Sequence, residues 1–172
     1  MNFKDIPQLT PYGSWHADFD LRGFVREIDR MVAEDGLQLN PDFQRGNVWT
    51  EAQQIAYVEF ILRGGHTART VYLNNPNWNR RKNDRYTDFV CVDGLQRITS
   101  ISRFLKNDLP AFGLFYDQFE GAIRILNTMQ ININDLQTRK EVLQWYVDFN
   151  AGGTVHSDAE IARVKALIAE EQ

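Results

Sequence analysis

The stretch Val90-Cys91-Val92-Asp93-Gly94-Leu95-Gln96-Arg97-Ile98-Thr99-Ser100-Ile101 decides the fold, because an apolar strand passes through an Asp-Gly turn straight into a helix. Such a junction sets the first N–H groups of the helix, and the positive end of its dipole, at the end of the strand, where anions bind. Gly94 lets a ligand come close to the backbone, and Arg97, one turn in, adds a forked, permanently charged donor. The polar set suits a phosphate. The same residues also serve ordinary structure, with Asp93 as an N-cap, Gly94 as a turn residue and Arg97 as a surface charge.

Working outward, Thr70 to Leu73 and Phe89 to Val92 read as short strands and neighbours in one sheet. The loop between them, Trp78-Asn79-Arg80-Arg81-Lys82-Asn83-Asp84-Arg85-Tyr86, carries four cations between two aromatics. Trp78, Arg80, Arg81, Lys82 and Arg85 could grip nucleic-acid phosphates and stack on a base; a solvated hairpin with Trp78 over the sheet edge uses the same residues. Upstream, Leu21, Phe24, Val25, Ile28 and Val32 recur at helical spacing before Gly36, which predicts a helix over 21 to 34. Thr50 and Gln53 form a capping box, followed by the stripe Ile55, Val58, Ile61 and Leu62 and the stop Gly64-Gly65.

Downstream, a helix at about 97 to 106 ends before Asp108-Leu109-Pro110, and Ile123, Ile125, Met129, Ile131 and Ile133 alternate as in a strand, with helical ambiguity near Leu126. Residues 135 to 149 predict a helix with Leu136, Val142, Leu143, Tyr146 and Val147 as core candidates. The Ser157-x-x-Glu160 box opens a last helix carrying Ile161, Val164, Leu167 and Ile168. Together these elements make an α+β domain, with a small sheet and flanking helices.

A second polar cluster, Asn40-Pro41-Asp42-Phe43-Gln44-Arg45-Gly46-Asn47-Val48-Trp49, precedes the capped helix. The series Pro41-x-x-Gln44-Arg45-x-x-x-Trp49, Asp93-Gly94-x-Gln96-Arg97 and Asn150-x-Gly152-Gly153-Thr154 resembles the N-terminal domain of GmrSD-type restriction proteins, over roughly residues 21 to 168. Leu95 stands where relatives commonly carry a second glutamine. The resemblance implies a ParB/sulfiredoxin-like α+β domain that binds a nucleoside triphosphate and hydrolyses it or transfers its terminal phosphate, in a phage or bacterial DNA defence or modification system.

By that resemblance Gly94, Gln96 and Arg97 hold phosphates, Arg45 neutralises developing charge, Gln44 orients water or a phosphate oxygen, and Asn150 and Thr154 complete the pocket. Asp93 either holds Mg²⁺ through water or caps the helix and shapes its turn. For Gln44 and Arg45 a structural reading stands beside the functional one, in which Arg45 pairs with a carboxylate such as Asp42 and Gln44 bonds backbone. Two other functions fit the same pocket: a non-catalytic switch driven by nucleotide or DNA phosphate, and a kinase of a small metabolite or modified DNA base. Relatives often carry a C-terminal nuclease domain, for which this chain has no room, so DNA cleavage is expected to need a separate nuclease or modification enzyme as partner.

Composition bounds the remaining possibilities. With 172 residues, of which 43% are hydrophobic and 24% charged, the chain reads as one globular domain over 1 to 172. No apolar run approaches the roughly 18 to 20 residues that span a bilayer, and the first residues lack a signal-peptide core, so a cytoplasmic protein without a membrane partner is expected. A net charge of −4 argues against coating nucleic acid through the whole surface, leaving only a local basic patch. The single cysteine, Cys91, rules out a disulfide framework and reads as a buried structural thiol. His16, His66 and His156 have no neighbours at metal-ligand spacing, and neither a Gly-x-x-x-x-Gly-Lys loop nor a Gly-x-Ser-x-Gly elbow is present.

Overall fold

The computed structural model describes residues 2–6, 14–46, 48–79, 85–124, 127–151 and 158–171. Four strands, β1 (Ser14–Asp20), β2 (Thr70–Asn74), β3 (Val90–Asp93) and β4 (Thr128–Asn134), form a mixed sheet in the order β1-β4-β2-β3. The central pair β2/β4 is parallel, while β1 on β4 and β3 on β2 are antiparallel. β2 and β3 are neighbours, as expected. β1 was not anticipated, although Trp15, Ala17 and Phe19 alternate with His16, Asp18 and Asp20 in the period of a half-buried strand. At the other edge Cys91 N donates to Gln38 O (2.9 Å), and Gln38 N to Phe89 O (2.8 Å), so a short segment covers the open side of β3.

Alternation along the strands divides the core in two. Val71, Leu73, Cys91, Met129, Ile131 and Ile133 face helices α1 (Leu21–Glu34), α2 (Glu51–Leu62) and α3 (Leu95–Leu105), and meet Phe24, Ile28, Val58, Ile61, Ile98 and Phe104. Val90 and Val92 face the other way, toward Phe43 and the helices α4 (Arg139–Ala151) and α5 (Asp158–Glu170), where Leu136, Val142, Leu143, Tyr146, Val147 and Val164 are buried. Removing one such side chain to alanine typically costs about 2–5 kcal/mol.

The caps explain where the helices begin. Asp20 Oδ1 accepts from Gly23 N (2.8 Å) at α1, and the Thr50/Gln53 capping box opens α2 as its sequence predicts. The helix expected from residue 135 starts at Arg139, because Thr138 and Glu141 form a capping box that fixes the first turn there. Leu136 is therefore buried from the preceding turn. Within α1 the assignment of Val32 is corrected: Val32 is 42% exposed, and Met31, one step round the helix, fills the core. Ile125 and Leu126, and the Ser157 capping box with the Glu160 side chain, lie outside the described residues. Among the described residues no helix is long and apolar enough to cross a membrane.

Candidate functional site

The segment holding Gln44 and Arg45 is held from three sides, by β3, by α3 and by the α4/α5 pair. Gln44 Nε2 donates to the carbonyls of Cys91 (3.1 Å) and Val92 (2.8 Å). Gln96, in the first turn of α3, accepts from Val48 N (3.1 Å) and Trp49 N (3.0 Å) through Oε1, and donates from Nε2 to Gly46 O (2.7 Å). From α5, Arg163 donates to the carbonyls of Asp42 (2.8 Å) and Phe43 (2.9 Å), and Arg139 of α4 pairs with Asp42 at 2.6 Å. The two Gln-Arg elements, about fifty residues apart in the chain, are thus one structural unit.

Each glutamine amide is engaged with backbone, which is the structural reading weighed for Gln44. Gln96 uses both ends of its carboxamide to brace the turn. Asp42, the carboxylate considered beside Arg45, holds Arg139. Arg45 itself lies half-buried in the same turn.

Asp93 and Arg97 form an ion pair between Oδ2 and Nη2, with side chains 28% and 17% exposed. Capping, one of the two roles read for Asp93, is not the arrangement seen: Gly94 occupies the N-cap position without a side-chain cap bond. Asp93 is the last residue of the strand, one place too early to cap, and the guanidinium offers its carboxylate a charge-assisted bond instead. Gly94 has φ +121°, and Ile98 N to Gly94 O (2.9 Å) is an opening bond of α3, so the Gln96 and Arg97 N–H groups precede the helical ladder. A Cβ on Gly94 would lie 2.6 Å from Val71 Cγ1, so packing against β2 requires this glycine irrespective of a ligand.

Burial pushes the Cys91 thiol up to about 12, Asp93 adds to the rise and Arg97 opposes it, which makes Cys91 the inert core residue its sequence suggests. The Tyr57 hydroxyl is also pushed well above its ordinary range by burial, against the pull of Arg97 and Arg69; it donates to Ala68 O (2.8 Å). Arg97 thus acts electrostatically on both the Cys91 thiol and the Tyr57 hydroxyl.

Tyr72 was missed by sequence reasoning. It is the register partner of Asp93, and its ring lies 4.6 Å from that of Phe149 and 6.2 Å from that of Trp145. The last turn of α4, which contains Asn150, is thereby brought beside the Asp93 strand end; the Asn150 side chain and Thr154 lie outside the described residues. The strand pattern already sets Tyr72 opposite Val71 and Leu73, and only the register linking it to Asp93 was not readable.

In the basic loop, the half-buried Trp78 ring packs against those of Trp15 (5.2 Å) and Phe89 (6.4 Å). Arg85 is exposed, and Arg80, Arg81 and Lys82 lie outside the described residues. No three His, Cys, Asp or Glu side chains gather as a metal site among the described residues.

The family model for the GmrSD restriction endonuclease, N-terminal domain, matches residues 28–114, half of the chain. The chain belongs to this family. The GmrSD match spans both Gln-Arg elements and the Asp93–Arg97 pair, and stops before β4, α4 and the Asn150 segment. No curated protein and no solved structure matches the chain.

Proposed function

We propose that this chain binds a nucleoside triphosphate at the start of α3, on a fold of the ParB/sulfiredoxin type, and passes its terminal phosphoryl group to water or another acceptor within a DNA-directed restriction or modification system. The observation that carries this reading is the joining of Gln44-Arg45 to Asp93–Arg97: two guanidinium-bearing turns are braced against each other at a helix N-terminus. Phosphate oxygens meet the N–H groups after Gly94 and replace Asp93 as the partner of Arg97. Arg45 then neutralises charge that grows during transfer. Gln44 and Gln96 act as positioning residues for these arginines, and Asn150 and Thr154 close the pocket from the end of α4.

Mg²⁺ would be held by Asp93 together with phosphate oxygens and water, a cation of this kind commonly keeping one carboxylate in such company. When bound it would offset the negative charge of the phosphates. DNA would meet the cations of the 80 to 85 segment, and binding through them would weaken steeply with salt.

Incubation with each nucleoside triphosphate and Mg²⁺, with and without DNA, followed by phosphate and product analysis, tests the activity. Phosphate release or a labelled acceptor is expected. A second reading, a non-catalytic switch, is favoured by the commitment of both glutamine amides to backbone. Nucleotide binding without turnover under every condition would select it.

A further inference from the structure

Four residues stand in one row across the sheet, one on each strand. Asp93 of β3 is the register partner of Tyr72 of β2, at the point where the β2/β3 register shifts between Tyr72 and Leu73; Tyr72 is the partner of Asn132 of β4, and Asn132 of His16 of β1. Their chain neighbours Val71, Leu73, Ile131, Ile133 and Trp15 belong to the core beneath α1 to α3, so Tyr72, Asn132 and His16 leave the sheet on the opposite face. α4 and α5 cover that face over β3 and meet Tyr72 through Phe149 and Trp145. Beyond it Asn132 is half-buried and His16 exposed. A parallel row, Thr70, Gln130 and Asp18, is already linked internally, by Gln130 Nε2 to Asp18 Oδ1 (3.2 Å) and Thr70 Oγ1 to Gln130 Oε1 (3.4 Å). By contrast, the Tyr72 hydroxyl, the Asn132 carboxamide and the His16 imidazole have no hydrogen-bond partner among the described residues.

We propose that this row is the nucleoside-binding floor of the same site: with phosphates at Arg97, the ribose lies against Tyr72 and the base over Asn132 and His16. The proposal rests on the phosphate-site reading given above and adds to it where the rest of the nucleotide goes. Three strand spacings of about 4.8 Å give the row a length of about 14 Å, room for a nucleotide laid out from phosphates to base. Its chemistry changes in the matching order. Beside the carboxylate and guanidinium stands a phenol, which can donate to a sugar hydroxyl while its ring stays fixed on Phe149. Next comes a carboxamide, whose adjacent donor and acceptor match the edge of a base, and then an imidazole able to bond a second edge atom.

Calorimetric titration of the full chain with the four nucleoside triphosphates and with inorganic tripolyphosphate tests this. The wild type should bind at least one nucleotide more tightly than tripolyphosphate, and Asn132→Ala and Tyr72→Phe should each weaken that nucleotide by about five- to tenfold, the scale of one lost hydrogen bond, while leaving tripolyphosphate unchanged. Both substitutions spare the core, and circular dichroism verifies folding. If the wild type prefers no nucleotide to tripolyphosphate, or Asn132→Ala leaves every nucleotide affinity intact, the floor is elsewhere although the phosphate site stands. If the wild type binds neither nucleotide nor tripolyphosphate, the phosphate site falls, and the floor with it.

Discussion

At Gly94 two independent demands select the same residue. The backbone φ of +121° is one that side-chain-bearing residues rarely adopt, and an added Cβ would also strike Val71 at 2.6 Å. Gly94→Ala should therefore lower stability by about 2–4 kcal/mol, read as the shift of a urea unfolding curve; an unmoved midpoint would mean that β2 and α3 can part without cost. Arg45 separates binding from chemistry. If it meets the transferring group, Arg45→Ala should cut turnover roughly 100-fold with a smaller loss of affinity. Steady-state phosphate release set against equilibrium binding decides, and parallel losses would make Arg45 a binding group only. The sequence marked both residues, but it could not say that Asp93 turns to Arg97 rather than to the helix end, because a carboxylate just before a helix fits either partner.

Among the elements, the described residues between 40 and 50 form no helix or strand, and the turn takes its shape from what binds it. Gln96 supplies three of those bonds, so Gln96→Ala should cost about 1–3 kcal/mol and speed hydrogen exchange at the Val48 and Trp49 amides. Exchange unchanged at both would show that the turn holds without the brace. Helices α1 and α2 were legible because an N-cap and an apolar stripe are local signals. The strand β1 escaped notice because two aspartates, poor strand formers, hide a short alternation of Trp15, Ala17 and Phe19. The roles of Gln44 and Gln96 were hidden for another reason: a carboxamide looks the same in sequence whether it meets a ligand or a carbonyl brought from about fifty residues away.

Over the whole molecule the sheet order rests on pairings that no local pattern encodes, such as Ser14 with Asn134, and these create the row from Asp93 to His16. The packed interior also sets an alkaline limit. Cys91 is held protonated by burial up to about 12, whereas in the unfolded chain it ionises from about 9. The unfolded state therefore loses a proton first, and stability is full below about pH 9 and declines as pH rises toward 12. The buried Tyr57 and Tyr86 hydroxyls, also raised, act in the same direction. Thermal melts from about pH 8 to 11 should fall progressively, less so in Cys91→Ala, if burial shifts the thiol in this way; a melting temperature flat across that range would contradict it. The central claim, that the joined turns at the start of α3 grip phosphate through Arg97, is tested most directly by calorimetric titration of the wild type and Arg97→Ala with nucleoside triphosphates. The account predicts a folded variant whose affinity falls by at least tenfold, the effect of losing a charge-assisted contact of about 1.5–3 kcal/mol. Equal affinity in the two proteins would contradict it.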